Sequence, residues 1–315
     1  MKFGVVGSGG VGGYFGGRLA QAGHDVTFIA RGAHLDAMRE RGLRVESTEG
    51  DFVIPKGMAT DELSSLSTAD IVILAVKTWQ VSEAAAGIGP VLHRDGAVLT
   101  LQNGVEAPDE VARACGRERV IAGVCRLMSY VAEPGLIRHA GVKPRVEIGE
   151  LAGGVTARVE ALRIALDGCT GVTATIAADI QATLWDKFLF IAPFSAVGAV
   201  TRKPAGVWRE VPETRRLLEA AMREVVDLAQ ARGIALPYEA VQKTMGFADR
   251  LPADSTSSMQ RDLLEGRPSE LEAQTGAIMR LARESGVPVP ANAFLYAALL
   301  PGELQARSLV NPASV

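Results

Sequence analysis

The sequence predicts an α/β protein, with an N-terminal parallel-sheet domain followed by an all-α C-terminal domain. Three observations predict it. The chain has 315 residues, beyond the size at which one core keeps growing, so two domains are expected. The first half alternates short valine- and isoleucine-rich runs with helix-like segments, the pattern of βαβ units. From about Asp179 the apolar spacing changes to a helical period.

In chain order, strands are expected at Phe3 to Val6, Val26 to Ala30, Ile71 to Val76, Val98 to Leu101 and Val120 to Val124. Each is continuously apolar rather than alternating, as parallel strands covered on both faces must be. A last strand-like run, TGVTATI, closes the first domain, so the division is expected between Cys169 and Asp179, with domains of residues 1–176 and 177–315. The apolar run Phe188 to Val200 is interrupted by Pro193 and Ser195 and reads as a buried helix rather than a membrane span. Pro212 to Arg232 places Leu217, Leu218, Ala221, Met222, Val225 and Leu228 at helical spacing, with Gly233 just beyond. Another helix is expected to start at Ser269, where Ser269 and Glu272 form an S-x-x-E capping box, and to end near Gly286 with Pro288 after it.

Composition removes several function classes. Apolar residues make up 48% and charged residues 22%, a globular balance. With 5% aromatics, a formal charge of -3 and no lysine or arginine run, no nucleic-acid partner is expected. The glycine-crowded N-terminus is neither a signal peptide nor a span, so no membrane partner and a cytoplasmic address are expected. Cys115, Cys125 and Cys169 form no CxxC and read as reduced thiols. No HExxH is present, and His24, His34, His93 and His139 are scattered. They read as surface residues, and no metal is expected.

Gly7, Gly9 and Gly12 have GxGxxG spacing between the first strand and a helix. In that context the motif is a dinucleotide site on a Rossmann-type sheet: a tight turn, a close backbone approach to pyrophosphate, and close packing of a helix whose N-terminal amides face the anion. The cofactor-binding segment is therefore Gly7, Ser8, Gly9, Gly10, Val11 and Gly12. At the end of the second strand, where an acidic residue would select NAD, the chain has Ala30 and Arg31. An arginine there can pair with a 2'-phosphate, which favours NADP(H), although a solvated surface arginine is the alternative reading. Lys77, Thr78 and Gln80 follow the third expected strand, and Gln102, Asn103 and Gly104 the fourth. Ligands of open α/β sheets bind outside such strand ends, so these groups are expected to converge on one cleft. Asn103-Gly104 also reads as a simple turn dipeptide.

The segments GSGGVGG, ILAVKTWQ, LQNGV, LWDKFLF and SSMQRDLLEGRPSELE together resemble the ketopantoate reductase (2-dehydropantoate 2-reductase) family, over nearly the whole chain. The resemblance implies an NADPH-binding Rossmann domain and a helical domain similar to that of 6-phosphogluconate dehydrogenase, with reduction of ketopantoate to pantoate on the route to coenzyme A. It further implies a catalytic lysine at Lys187, an active-site amide at Asn103, an acid at Glu270, a substrate-binding serine at Ser258, and cofactor contacts from Arg31, Lys77 and Gln80.

The chemistry asks for these residue types. Hydride addition to a ketone creates an alkoxide, which needs a positioned proton donor, and Lys187 would be that donor. A snorkelling lysine on an apolar helix is the plain alternative. Glu270 would be a counter-charge for Lys187 or a partner for a substrate hydroxyl, or only an acid favoured by a helix N-terminus. One and two turns beyond Lys187, Ile191 and Ser195 share its face and stand where the family usually has substrate-binding asparagines. LEAQTG likewise lacks an asparagine common in the family. The small-molecule partner is thus expected to be a 2-oxo acid, with ketopantoate first and a more apolar 2-oxo acid or another ketone as the alternative. A dinucleotide-binding sensor is the reading from a different class. The apolar helices of the second half allow a homodimer and serve intramolecular packing equally well.

Overall fold

The computed structural model of the chain describes residues 1–66 and 68–310. Its strands are β1 Lys2–Val6, β2 Asp25–Ile29, β3 Leu43–Ser47, β4 Phe52–Ile54, β5 Ala59–Thr60, β6 Ala69–Leu74, β7 Leu92–Thr100, β8 Val120–Arg126, β9 Ser129–Glu133, β10 Leu136–His139, β11 Arg145–Glu150 and β12 Thr173–Ile176. Its helices are α1 Gly10–Gln21, α2 Gly32–Arg41, α3 Val81–Ile88, α4 Ala107–Cys115, α5 Ala157–Asp167, α6 Ile180–Thr201, α7 Ala205–Trp208, α8 Pro212–Ala231, α9 Glu239–Arg250, α10 Ser258–Leu264, α11 Ala277–Ser285 and α12 Pro290–Val310. Two compact units result: Met1–Gln102 with Ala107–Thr183, and Asn103–Glu106 with Leu184–Val315. The division falls within α6, and the tetrapeptide after β7 joins the helical unit.

The first unit is built on an eight-stranded sheet of order β12-β11-β8-β7-β6-β1-β2-β5. Every pairing is parallel except β11 with β8. The order reverses between β1 and β6, the topological switch point at which such sheets take ligands. Val5, Phe28, Ile73 and Leu99 lie on one side of the sheet core, and Val6, Val72, Leu74 and Val98 on the other, which is why these strands read as unbroken apolar runs.

A second, four-stranded sheet of order β4-β3-β10-β9 was not expected. Its strands alternate: Leu43, Val45, Phe52, Ile54 and Ile137 are buried while Arg44, Val53 and Arg138 beside them are exposed, so none shows a continuous apolar run. Helix α1 lies between the sheets and touches both through glycine. A Cβ at Gly16 would meet Val5 and Phe28 of the large sheet, and one at Gly13 or Gly17 would meet Ile137 or Phe52 of the small one, all under 3.0 Å. Arg18 of α1 anchors the small sheet. Its guanidinium donates to the Glu49 and Gly50 carbonyls at 3.1 and 2.9 Å, to Gln21 at 2.8 Å, and lies 4.3 Å from the Phe52 ring centroid.

His139 is corrected here from surface to core. It is 2% exposed, accepts from Ser47 Oγ at Nδ1 (2.8 Å) and donates from Nε2 to the Val142 carbonyl (3.0 Å). Among the described residues no cluster of three or more His, Cys, Asp or Glu side chains could hold a metal.

The second unit is helical. α6 runs 22 residues through Pro193. It is the one helix among the described residues long and apolar enough to cross a membrane, and 67% of its most apolar window is buried inside the protein, as a core helix requires. Glu224 of α8 caps α12: its carboxylate accepts the Ala291 and Asn292 amides at 2.7 and 2.9 Å and the Asn292 side chain at 2.7 Å. A carboxylate there satisfies orphan donors and complements the helix dipole.

The helix expected from Ser269 begins differently. Residues 269–271 are irregular, Glu272–Gly276 is a π-helical turn, and regular α-helix starts at Ala277 and ends at Gly286 in the left-handed region. The capping box does not close, because a stronger partner takes Ser269. Glu303 of α12, 0% exposed, accepts from the Ser269 amide (3.1 and 3.0 Å) and hydroxyl (2.5 Å). Glu272 turns instead to Arg280 (3.0 Å) and Tyr296 (2.7 Å).

Candidate active site

In the first unit the glycines divide their work. Gly7 leaves β1 with φ +96°, and a Cβ there would strike Val76 N at 2.6 Å. The turn therefore lies against the end of β6, at the switch point. A Cβ on Gly12 would lie 2.1 Å from the Gly7 carbonyl oxygen, so only glycine lets α1 pack this close to its own loop. Gly9 is different: nothing lies within 4 Å of its Cβ position. The protein does not require glycine there for packing, and the open side of a helix N-terminus with no acidic residue in its first turn suits an anionic diphosphate.

Ser8 is 3% exposed, and its hydroxyl donates to the Ile29 carbonyl at 2.9 Å. That side chain ties the loop to the end of β2, leaving its backbone for a ligand. Gly10 packs against the Ser129 backbone, and Val11 against the core. Sequence reasoning missed His34. Its Nε2 donates to the Ser8 carbonyl (2.9 Å) while Nδ1 accepts the Gly135 amide (3.1 Å), so the neutral ring bridges the loop to the β9–β10 turn. Burial lowers its pKa below 6.5, partly opposed by the bond to Ser8.

Arg31 is exposed at the N-cap of α2, immediately after β2 and Ala30. Lys77 is exposed after β6, with its ammonium 5.7 Å from the Trp79 ring centroid, and Gln80 directly precedes α3 without a side-chain capping bond. Gln102 is buried and donates to the Leu74 and Val76 carbonyls at 2.9 and 3.2 Å. The structure thus gathers the Gly7 turn, the Ile29 end of β2, Ala75 and Val76 of the segment that follows β6, and Gln102.

In the second unit, Lys187 is half-buried on α6 between buried Trp185, Phe188 and Leu189. Ile191 is half-buried one turn on, and Ser195, a further turn on, is 0% exposed with its hydroxyl unpartnered. Asn103, half-buried, donates from Nδ2 to Glu270 Oε2 at 3.3 Å across 167 residues of sequence. That bond orients both side chains. Glu270 is 8% exposed; its side-chain partner among the described residues is this amide, and no ion pair joins it to Lys187. Gly104, φ +98°, follows against the Ala273 carbonyl, 2.6 Å from its Cβ position. Ser258 lies exposed at the start of α10, and buried Ser257 caps that helix, accepting the Gln260 amide at 3.0 Å.

Two supports of this segment had no signal in the sequence. Glu303 and Arg307 hold Ser269, beside Glu270, Arg307 donating to the Ser269 carbonyl at 3.0 Å and pairing with Glu303 at 2.7 Å. Arg280 joins Glu106, at the end of the Asn103 tetrapeptide (2.7 Å), to the Glu272 carbonyl (2.8 Å). Tyr296 closes the group on Glu272, and burial together with that bond pushes its phenol up to about 12.

Two family models match the chain: ketopantoate reductase PanE/ApbA over residues 3–153 and its C-terminal counterpart over 179–303. The chain belongs to the ketopantoate reductase family. A 2-dehydropantoate 2-reductase from Nostoc sp. is 31% identical, with 94% of this chain and 93% of that one covered. One from Halobacterium salinarum is 32% identical, covering 92% and 95%. The crystal structure of a PanE/ApbA family ketopantoate reductase from Ralstonia eutropha superposes with a TM-score of 0.89 at 31% identity, over 98% of this chain and 100% of that one. The chain is accordingly an oxidoreductase of the 2-dehydropantoate 2-reductase type, and its parallel-sheet and helical domains are those of the ketopantoate reductases.

Proposed function

We propose that the protein reduces a 2-oxo acid to a 2-hydroxy acid with NADPH, and that 2-dehydropantoate, giving pantoate for pantothenate and coenzyme A synthesis, is the first substrate to try. The observation that carries this reading is the meeting of Asn103 with Glu270 at 3.3 Å in the unit that also carries Lys187, on a chain whose N-terminal loop leaves Gly9 open. Family membership supports it.

The bound dinucleotide supplies a hydride. The amides at the start of α1 hold its diphosphate, and the Arg31 guanidinium pairs with the 2'-phosphate that distinguishes NADPH from NADH. Lys77 and Gln80 contribute further polar contacts at the end of β6. Lys187 gives its proton to the carbonyl oxygen as negative charge grows there. Asn103, held by Glu270, is oriented before substrate arrives, and the remaining Glu270 oxygen is an acceptor for the hydroxyl that the reduction forms. Ser258 and Ser195 are hydroxyl donors to the polar end of the acid.

Half-buried Ile191 favours a second reading, the same reaction on a more apolar 2-oxo acid, since a hydrocarbon there leaves a buried substrate donor or acceptor unpaired. Purified protein is incubated with NADPH and a panel of 2-oxo acids while loss of nicotinamide absorbance is followed. Oxidation with 2-dehydropantoate above all others supports the first reading, and preference for an apolar member supports the second. No oxidation with any member overturns both.

A further inference from the structure

Buried polar groups in folded proteins are hydrogen-bonded, and each exception asks for a reason. Gln274 is the sharpest exception in the helical unit: it is 0% exposed, and among the described residues neither its side-chain nitrogen nor its side-chain oxygen has a partner. Gln260 and Asn292 leave only their oxygens unpartnered, since their nitrogens donate to the Lys203 and Ala221 carbonyls. Gln274 sits in the π-helical turn Glu272–Gly276, a local distortion that recurs at functional sites. Its backbone amide bonds the Glu270 carbonyl at 3.0 Å, so Gln274 follows Glu270 by one turn of the chain. Thr275 of the same turn and Ser195 of α6, the helix that carries Lys187, also bury hydroxyls without a partner among the described residues.

We infer that Gln274 reads the substrate: its carboxamide, donor and acceptor together, binds a hydroxyl on the side chain of the 2-oxo acid. The inference rests on the proposed reduction and adds its specificity. A neutral hydroxyl is the group that fits, because the Glu270 carboxylate, one turn away and 8% exposed, opposes a second carboxylate at close range. A hydroxyl uses both ends of the amide. Without it the desolvated amide is left unsatisfied, and that asymmetry is how a polar site rejects a substrate lacking the group.

The test compares 2-dehydropantoate with trimethylpyruvate, the same 2-oxo acid lacking the hydroxyl, in the full-length enzyme with NADPH. In Gln274→Met the KM for 2-dehydropantoate is expected to rise about tenfold, with kcat within about twofold, while the KM for trimethylpyruvate stays within about twofold of wild type. Equal changes for both substrates, or none for either, overturn the role of Gln274 and leave the reduction standing. A wild-type protein that turns over neither these nor any other 2-oxo acid overturns the proposed function and this inference with it. Should the methionine variant not fold, Gln274→Asn, which keeps the amide but withdraws it by one methylene, gives the same comparison with the same two outcomes.

Discussion

Replacing Gly9 by alanine separates ligand binding from folding more cleanly than any other change to this chain. Beyond the adjoining backbone, the new methyl finds no atom of the described residues within 4 Å, and the residue's φ of −71° and ψ of −161° are open to alanine. Alanine is a poorer N-cap than glycine by about half a kcal/mol, and the stiffer unfolded chain returns about the same. The melting temperature should therefore move by no more than about 2 °C. The methyl instead stands where a diphosphate must approach the α1 amides, and charge-assisted bonds there are worth about 1.5–3 kcal/mol. NADPH affinity is expected to fall by about 10- to 150-fold. Gly12→Ala is the contrasting variant: its methyl lies 2.1 Å from the Gly7 carbonyl oxygen, and it should cost stability, by about 1–3 kcal/mol, as well as affinity. Thermal melts of both apoproteins and fluorescence titrations with NADPH measure the two effects. Wild-type affinity in Gly9→Ala would refute the assignment of the loop.

Four further outcomes are expected. Lys187→Ala should lower turnover by about a hundredfold or more at nearly unchanged NADPH affinity, and an unaltered rate would remove this lysine from the chemistry. Arg31→Ala should weaken NADPH more than NADH in competitive titrations, whereas equal loss of both would make it a surface residue. Glu303→Ala leaves the buried Ser269 amide and Arg307 without their carboxylate and should destabilise the protein by about 3 kcal/mol while lowering kcat through Glu270; a melt unchanged from wild type would show that the cluster holds nothing. His34 has a native pKa held below 6.5, so the unfolded chain takes up its proton first as pH falls. Its stabilisation is present above pH 6.5 and fades as pH drops through the lower native value. Between pH 7 and 5 the wild type should lose melting temperature more steeply than His34→Gln, and parallel slopes would count against it.

What could be read from the sequence was whatever a short stretch determines by itself. The strands of the large sheet are covered on both faces and so are continuously apolar, and the Gly7–Gly12 spacing lies directly between β1 and α1. The small sheet escaped notice because its strands bury one face each and pair over long distances, His139 opposite Ser47. The same distance hid the core position of His139. At Ser269 a local rule was outweighed by a remote one: the S-x-x-E pattern offered Glu272, but buried Glu303, thirty-four residues on, makes three contacts with Ser269 that a solvated capping glutamate would not match. Lys187 could be placed on a helix from LWDKFLF alone, whereas the meeting of Asn103 with Glu270 depends on the fold.

Helix α1 has little inclination to be a helix. Its interior glycines Gly12, Gly13, Gly16 and Gly17 weigh against it by about 4 kcal/mol relative to alanine, and the usual remedy of adding methyls is closed, since each would collide with a sheet or with the loop. Its order is lent by the layers on either side. The backbone that would present its amides to a diphosphate is therefore as firm as the whole N-terminal unit, and the hydrogen-bonded amides behind them, from Gly13 on, should exchange with solvent only when that unit opens globally. Loosening either sheet, even far from the loop, is then felt as weaker grip on the dinucleotide.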